Sequence, residues 1–190
     1  MARRIKERKL KSPNITIIGE GLTERCYFKH LKSLKGYRYT CKPRNFSQQS
    51  IDDLQKQIDK VLEDDGVDAD VARDKPAERK KLEAMQKKYA GKEQVILCDS
   101  MPSIEFWFLI HYLNTNKYFA SSTDVIKVLR RFLPDFSKHE TYLAKEKWVV
   151  DMIANGKQDI AMDRAKGFGM TGESYSNIYK AFEKFMELNS

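Results

Sequence analysis

The spacing of apolar positions changes several times along the chain. Residues 14–19 (NITIIG) form a β-branched run, the pattern of a short buried strand. In 22–34 the apolar residues Leu22, Tyr27, Phe28, Leu31 and Leu34 recur at helical spacing. Residues 37–42 alternate and predict a second strand, closed by Pro43. Residues 50–63 place Ile51, Leu54, Ile58, Val61 and Leu62 on one face of an amphipathic helix. The opening sixty residues therefore predict strand, helix, strand, helix, which is the order of an α/β unit with a mostly parallel sheet.

The pattern then thins. The stretch EDDGVDADVARDKPAERKK has acids, then bases, and almost no apolar run. A third strand is expected here, yet only Gly66-Val67 precedes the acids. Residues 75–89 predict a helix with Pro76 in its first turn, and 94–98 (QVILC) predict a clean strand. Residues 102–113 (PSIEFWFLIHYL) predict a core helix opened by Pro102. Four more helices are predicted at 123–132, 146–154, 158–164 and 174–188. The expected organisation is an arm at 1–12, an α/β domain at 13–115 and an all-helical extension at 116–190 packed on it.

Composition bounds the function. The chain has 190 residues and a formal net charge of +8. Arg3, Arg4, Lys6, Arg8, Lys9 and Lys11 crowd the first eleven residues. Two readings of this block stand: an arm that binds the phosphates of a nucleic acid through counterion release, or a solubilising tail. No apolar run approaches the ~18 residues of a membrane span, and the basic N-terminus lacks the apolar core of a secretory signal. Cys26, Cys41 and Cys98 are odd in number and widely spaced, which fits neither a disulfide framework nor a zinc pattern. A reduced, cytoplasmic setting is the default expectation. There is no P-loop and no G-x-S-x-G, so neither an NTPase nor a serine hydrolase is supported.

The candidate chemistry lies in the acids. Glu20 follows the first strand between Gly19 and Gly21, and Glu24 falls in the first turn of the next helix. Ligands of open α/β sheets bind at such strand ends. Asp68 and Asp70 form a D-x-D, whose side chains share one side of an extended chain. Glu105 opens an apolar helix, where an unpaired carboxylate would be costly to bury. Three acid positions after successive sheet elements suit Mg²⁺ or Mn²⁺ and phosphoryl transfer. The competing reading is that Glu20 and Glu24 meet a helix dipole and that the aspartates mark a solvated loop. Lys145, in YLAKEKW, is a candidate for stabilising transition-state charge, or a solvated helix lysine.

Two long motifs resemble a known family. GEGLTERCYFKHL is similar to the E-G-x-T-E-x-x-Y-F start of the RloB-like proteins, and SMPSIEFWFLIHY to their S-N-P-S-F-E-x-W-x-L-L-H-F segment. The tail, DIAMDRAK followed by SNIYKAFEKF, resembles that family's ending. The resemblance implies a Toprim-like fold with Mg²⁺ held by Glu20, Asp68 and Asp70, and with Glu24 and Glu105 as additional acids. It implies a metal-dependent nuclease of anti-phage or abortive-infection defence, in some systems partnered by an AAA+ ATPase of the RloA type. The alternative is a nucleic-acid-binding or sensor subunit that cuts nothing. Where the family has V-x-x-V-F-D-x-D, this chain has VLEDDGVDAD, so a short third strand is expected, and Asp64–Asp65 rivals the D-x-D.

Overall fold

A computed structural model describes residues 15–19, 21–42, 50–62, 67–72, 76–169 and 173–189, with backbone alone at 67–72, 76–79 and 189. The first half alternates as expected: β1 (Ile15–Gly19), α1 (Leu22–Lys35), β2 (Tyr39–Lys42), α2 (Ile51–Leu62), β3 (Val67–Ala72), α3 (Pro76–Tyr89) and β4 (Val95–Met101). Then come α4 (Ile104–Ile110), α5 (Ser122–Leu129), α6 (Glu140–Leu143), α7 (Lys147–Ile153), α8 (Lys157–Phe168), β5 (Tyr175–Ser176) and α9 (Tyr179–Asn189). Among the described residues, no helix is long and apolar enough to cross a membrane.

The strands form one five-stranded sheet in the order β2-β1-β3-β4-β5. β1 pairs in parallel with β2 and β3, β3 pairs in parallel with β4, and β5 adds antiparallel to β4. The fold is thus mixed α/β with a mostly parallel sheet. All of β1 is buried, as a strand covered on both faces must be. Its alternation divides the core. Ile15 and Ile17 join a large cluster containing Tyr27, Phe28, Trp107, Phe108, Trp148 and Phe182. Ile18 faces the other way, into a smaller cluster of α2 and α3 residues that includes Leu54, Ile58, Leu82 and Met85. All seven residues of α4 are buried, because α4 packs against α5, α8, β4 and β5 together.

Three expectations change. The third strand is present as expected, but the D-x-D lies inside it rather than after it. β3 alternates two aspartates with small or β-branched residues, and it pairs with β1 on one side and β4 on the other. Its backbone groups are satisfied by two neighbours, so position in the sheet overrides weak local propensity. β4 runs beyond 98 to Met101, because Ser100 and Met101 pair with Ser176 and Tyr175. By the same pairing, the C-terminal third is not all-helical: the start of the helix predicted at 174–188 is β5.

Candidate functional site at the carboxyl rim of the sheet

From β1 the chain crosses to β2 on one side, then returns past β1 to β3 on the other. β1 and β3 are adjacent, and their outgoing connections diverge. That is a topological switch point, and it leaves a crevice outside the carboxyl ends of the two strands. Gly19 ends β1 level with Asp70, and Asp70 is level with Cys98 in β4. Asp68 lies two residues back, level with Ile17 and Ile96. The side chains of Asp68 and Asp70 lie outside the description. So do Glu20, the rival Asp64–Asp65 and the basic residues at positions 3, 4, 6, 8, 9 and 11.

Glu24 sits in the first turn of α1 and is buried. Its side chain folds back over the turn that follows β1. A Cβ on Gly19 would stand 3.0 Å from Glu24 Cβ, and one on Gly21 would stand 3.1 Å from Glu24 Oε2. The two glycines therefore make room for this carboxylate. The expected meeting of Glu24 with Glu20 falls outside the described residues.

Glu105 comes from the end of β4. After Pro102, Ser103 stands at the N-cap position of α4, and Glu105 follows in the first turn. Its side chain is 0% exposed. Ser103 Oγ donates to Glu105 Oε2 at 2.5 Å. The ammonium of Lys138 lies 2.9 Å from Oε1, as an ion pair rather than an aligned hydrogen bond. Lys138 itself is 49% exposed and reaches in from the loop between α5 and α6. β3 separates β1 from β4, and β4 runs three residues beyond Cys98, which is level with the end of β1, before α4 begins.

Asp99 escaped the sequence reading. It is buried six residues before Glu105, and its surroundings differ. Tyr175 Oη donates to Oδ2 at 2.8 Å, and Asn177 Nδ2 donates to Oδ1 at 2.5 Å. The Asp99 amide donates back to Asn177 Oδ1, and the Asn177 amide donates to the Asp99 carbonyl. Ser100 Oγ and Ser176 Oγ add a contact at 2.8 Å. This hem ties β5 to β4. The available signal was an acid directly after an apolar strand, the same one that singled out Glu20.

Lys145 is exposed between α6 and α7, on an open cleft lined by Phe132, Tyr142 and Trp148 but by neither Glu24 nor Glu105. His111 ends α4, wholly buried, and its Nδ1 donates to the Trp107 carbonyl at 2.8 Å. Burial pushes its pKa down to about 3, aided by the Arg164 and Lys157 charges and opposed by the Trp107 carbonyl, so the ring is neutral. Burial also raises the Cys26 thiol, and pushes Cys41 up to about 11, so both are protonated at neutral pH.

Among the described residues, no group of three or more His, Cys, Asp or Glu is placed to hold a metal. The described rim nonetheless offers only oxygen donors, from Glu24, Glu105 and Ser103, which is the donor chemistry of a hard divalent cation. The Glu105 carboxylate already draws in a cationic group. The rim therefore fits such an ion in kind. Neither a curated protein nor a solved structure matches the chain. Residues 15–184 match the family described as RloB-like protein, and the chain belongs to that family.

Proposed function

We propose that this chain is a Mg²⁺- or Mn²⁺-dependent nuclease with a Toprim-like catalytic domain, acting in anti-phage defence. The observation that supports it is the switch point: β1, β3 and β4 are neighbouring parallel strands whose carboxyl ends face the same edge of the sheet. Glu20, Asp68, Asp70 and Glu105 would hold the ion, with Glu24 as a further ligand or as the group orienting the turn. When bound, the ion would polarise a phosphodiester and lower the pKa of an attacking water.

The chain's own residues set the frame for that chemistry. Gly19 and Gly21 let the β1–α1 turn and Glu24 approach each other. Ser103 fixes the orientation of the Glu105 carboxylate. The basic residues Arg3, Arg4, Lys6, Arg8, Lys9 and Lys11 would attract the polyanion, and Lys145 would meet phosphate at a second position. Any ATPase activity would belong to a separate partner, because the chain carries no nucleotide-binding P-loop.

The test pairs calorimetric Mn²⁺ titration with cleavage of single- and double-stranded DNA and RNA, for wild type and Glu20→Gln. The expected result is metal-dependent cleavage that drops by at least about 100-fold in the variant, as for loss of a group acting on transition-state charge. Unchanged cleavage in Glu20→Gln would refute the site. Salt-sensitive nucleic-acid binding without turnover at any Mn²⁺ concentration would make the chain a binding subunit instead.

A further inference from the structure

The ion pair at Glu105 is asymmetric in a way that a structural salt bridge need not be. The carboxylate is 0% exposed, and the lysine is half in water. Lys138 sits on a short loop whose neighbours are fixed. Phe136 is fully buried, Arg130 Nε donates to the Phe136 carbonyl at 2.9 Å, and Leu143 is fully buried in α6. The loop is therefore anchored independently of the lysine. The ammonium ends a flexible four-carbon stem and can leave Glu105 by rotamer change alone, without disturbing the core. The carboxylate cannot follow, because Ser103 and the packing of α4 hold it.

We propose that Lys138 is a tethered counter-cation that competes with the divalent ion for Glu105. This rests on the metal-dependent reading above. In the metal-free chain, the ammonium offsets the buried charge. A divalent ion at the rim brings two positive charges to the same carboxylate, and the ammonium is displaced toward solvent. A phosphodiester is the anion that a released lysine at this rim would meet next. Metal and substrate phosphate then favour each other's binding, and the coupling is reciprocal. The loop carrying Lys138 sets how tightly the empty site resists loading.

The experiment is calorimetric titration of Mn²⁺ alone into the full chain, as wild type, Lys138→Met, Lys138→Arg and Lys127→Met. Lys127 lies on neighbouring α5, is largely exposed, and controls for the general loss of one positive charge. Lys138→Met should bind Mn²⁺ about tenfold tighter, the scale of one lost charge-pair competitor. Lys138→Arg should bind more weakly than wild type, because a guanidinium pairs with carboxylate through two parallel bonds. Lys127→Met should stay within about twofold, as expected for a screened surface charge. Affinity indifferent to position 138, in a wild type that does bind Mn²⁺, overturns the competition and leaves the metal site standing. Absence of Mn²⁺ binding in wild type and all variants overturns both. Circular dichroism checks the fold of Lys138→Met; if that variant does not fold, Lys138→Arg decides, and an affinity equal to wild type sinks the proposal.

Discussion

Two buried carboxylates close to each other in sequence, Asp99 in the β4–β5 hem and Glu105 in the β4–α4 turn, meet opposite treatment. Asp99 accepts from two neutral donors, Tyr175 and Asn177, and returns the bond through its own amide. Glu105 has one neutral donor, Ser103, and a lysine that reaches in from solvent. Burial does not separate them, since both are essentially inaccessible. The type of partner does. A carboxylate bonded to dipoles of the sheet edge is part of the scaffold, and one balanced by a half-exposed ammonium is the kind that could exchange that charge for another.

The largest expected effect on stability comes from breaking the scaffold side. Asp99→Ala removes the acceptor for the Tyr175 hydroxyl and the Asn177 amide and loosens the β5 pairing. It should cost about 3 kcal/mol, read from urea unfolding, the range for breaking a buried, hydrogen-bonded carboxylate network. Mn²⁺ affinity should hold in whatever fraction remains folded. A cost below about 1 kcal/mol, the worth of an ordinary net hydrogen bond, would show that the hem is not a stabilising element.

The helix that opens with Glu105 closes with His111, and acid tests that end. His111 has a folded pKa of about 3 against an ordinary value of 6.5. Below 6.5 the unfolded chain takes up a proton that the folded chain refuses. Its contribution is thus fully present above pH 6.5 and is lost as pH falls toward 3. One such group gives a slope of about 1.4 kcal/mol per pH unit. Unfolding of wild type and His111→Gln at pH 7, 6 and 5 should show that extra slope in wild type alone. Equal slopes would mean that His111 is solvated, and that α4 is less tightly enclosed at this end than at Glu105.

The sequence made one side of this comparison legible and hid the other. Glu105 stood out because a carboxylate in SIEFWFLI has no cheap place to go. Glu24 stood out because glycines flank its approach to a strand end. The hem was hidden because Asp99 finds Tyr175 and Asn177 across some seventy intervening residues, and because a two-residue strand has no period to read. Lys138 was hidden for the same reason: nothing in a loop lysine announces which distant carboxylate it serves. The extent of β3 around the D-x-D was hidden because the strand is held by neighbours on both sides as well as by its own six residues. The strand order, and with it the switch point, is a tertiary fact that helix and strand periodicity does not encode.

The smallest expected effect on stability is also the most discriminating. Glu105→Gln keeps the shape and keeps an oxygen to accept from Ser103, while Lys138 moves into water that already reaches it. A neutral isostere is relieved of the charge's desolvation, while its buried amide nitrogen meets no acceptor at the Oε1 position, so the cost should be about 1 kcal/mol. Mn²⁺ affinity should nonetheless fall by about tenfold or more, because an amide oxygen replaces a carboxylate as a donor to a hard cation. Unfolding and titration on one preparation give both numbers. A large stability loss with unchanged Mn²⁺ binding would place Glu105 beside Asp99 as scaffold, and the metal site would then have to be sought among Glu20, Asp68 and Asp70 alone.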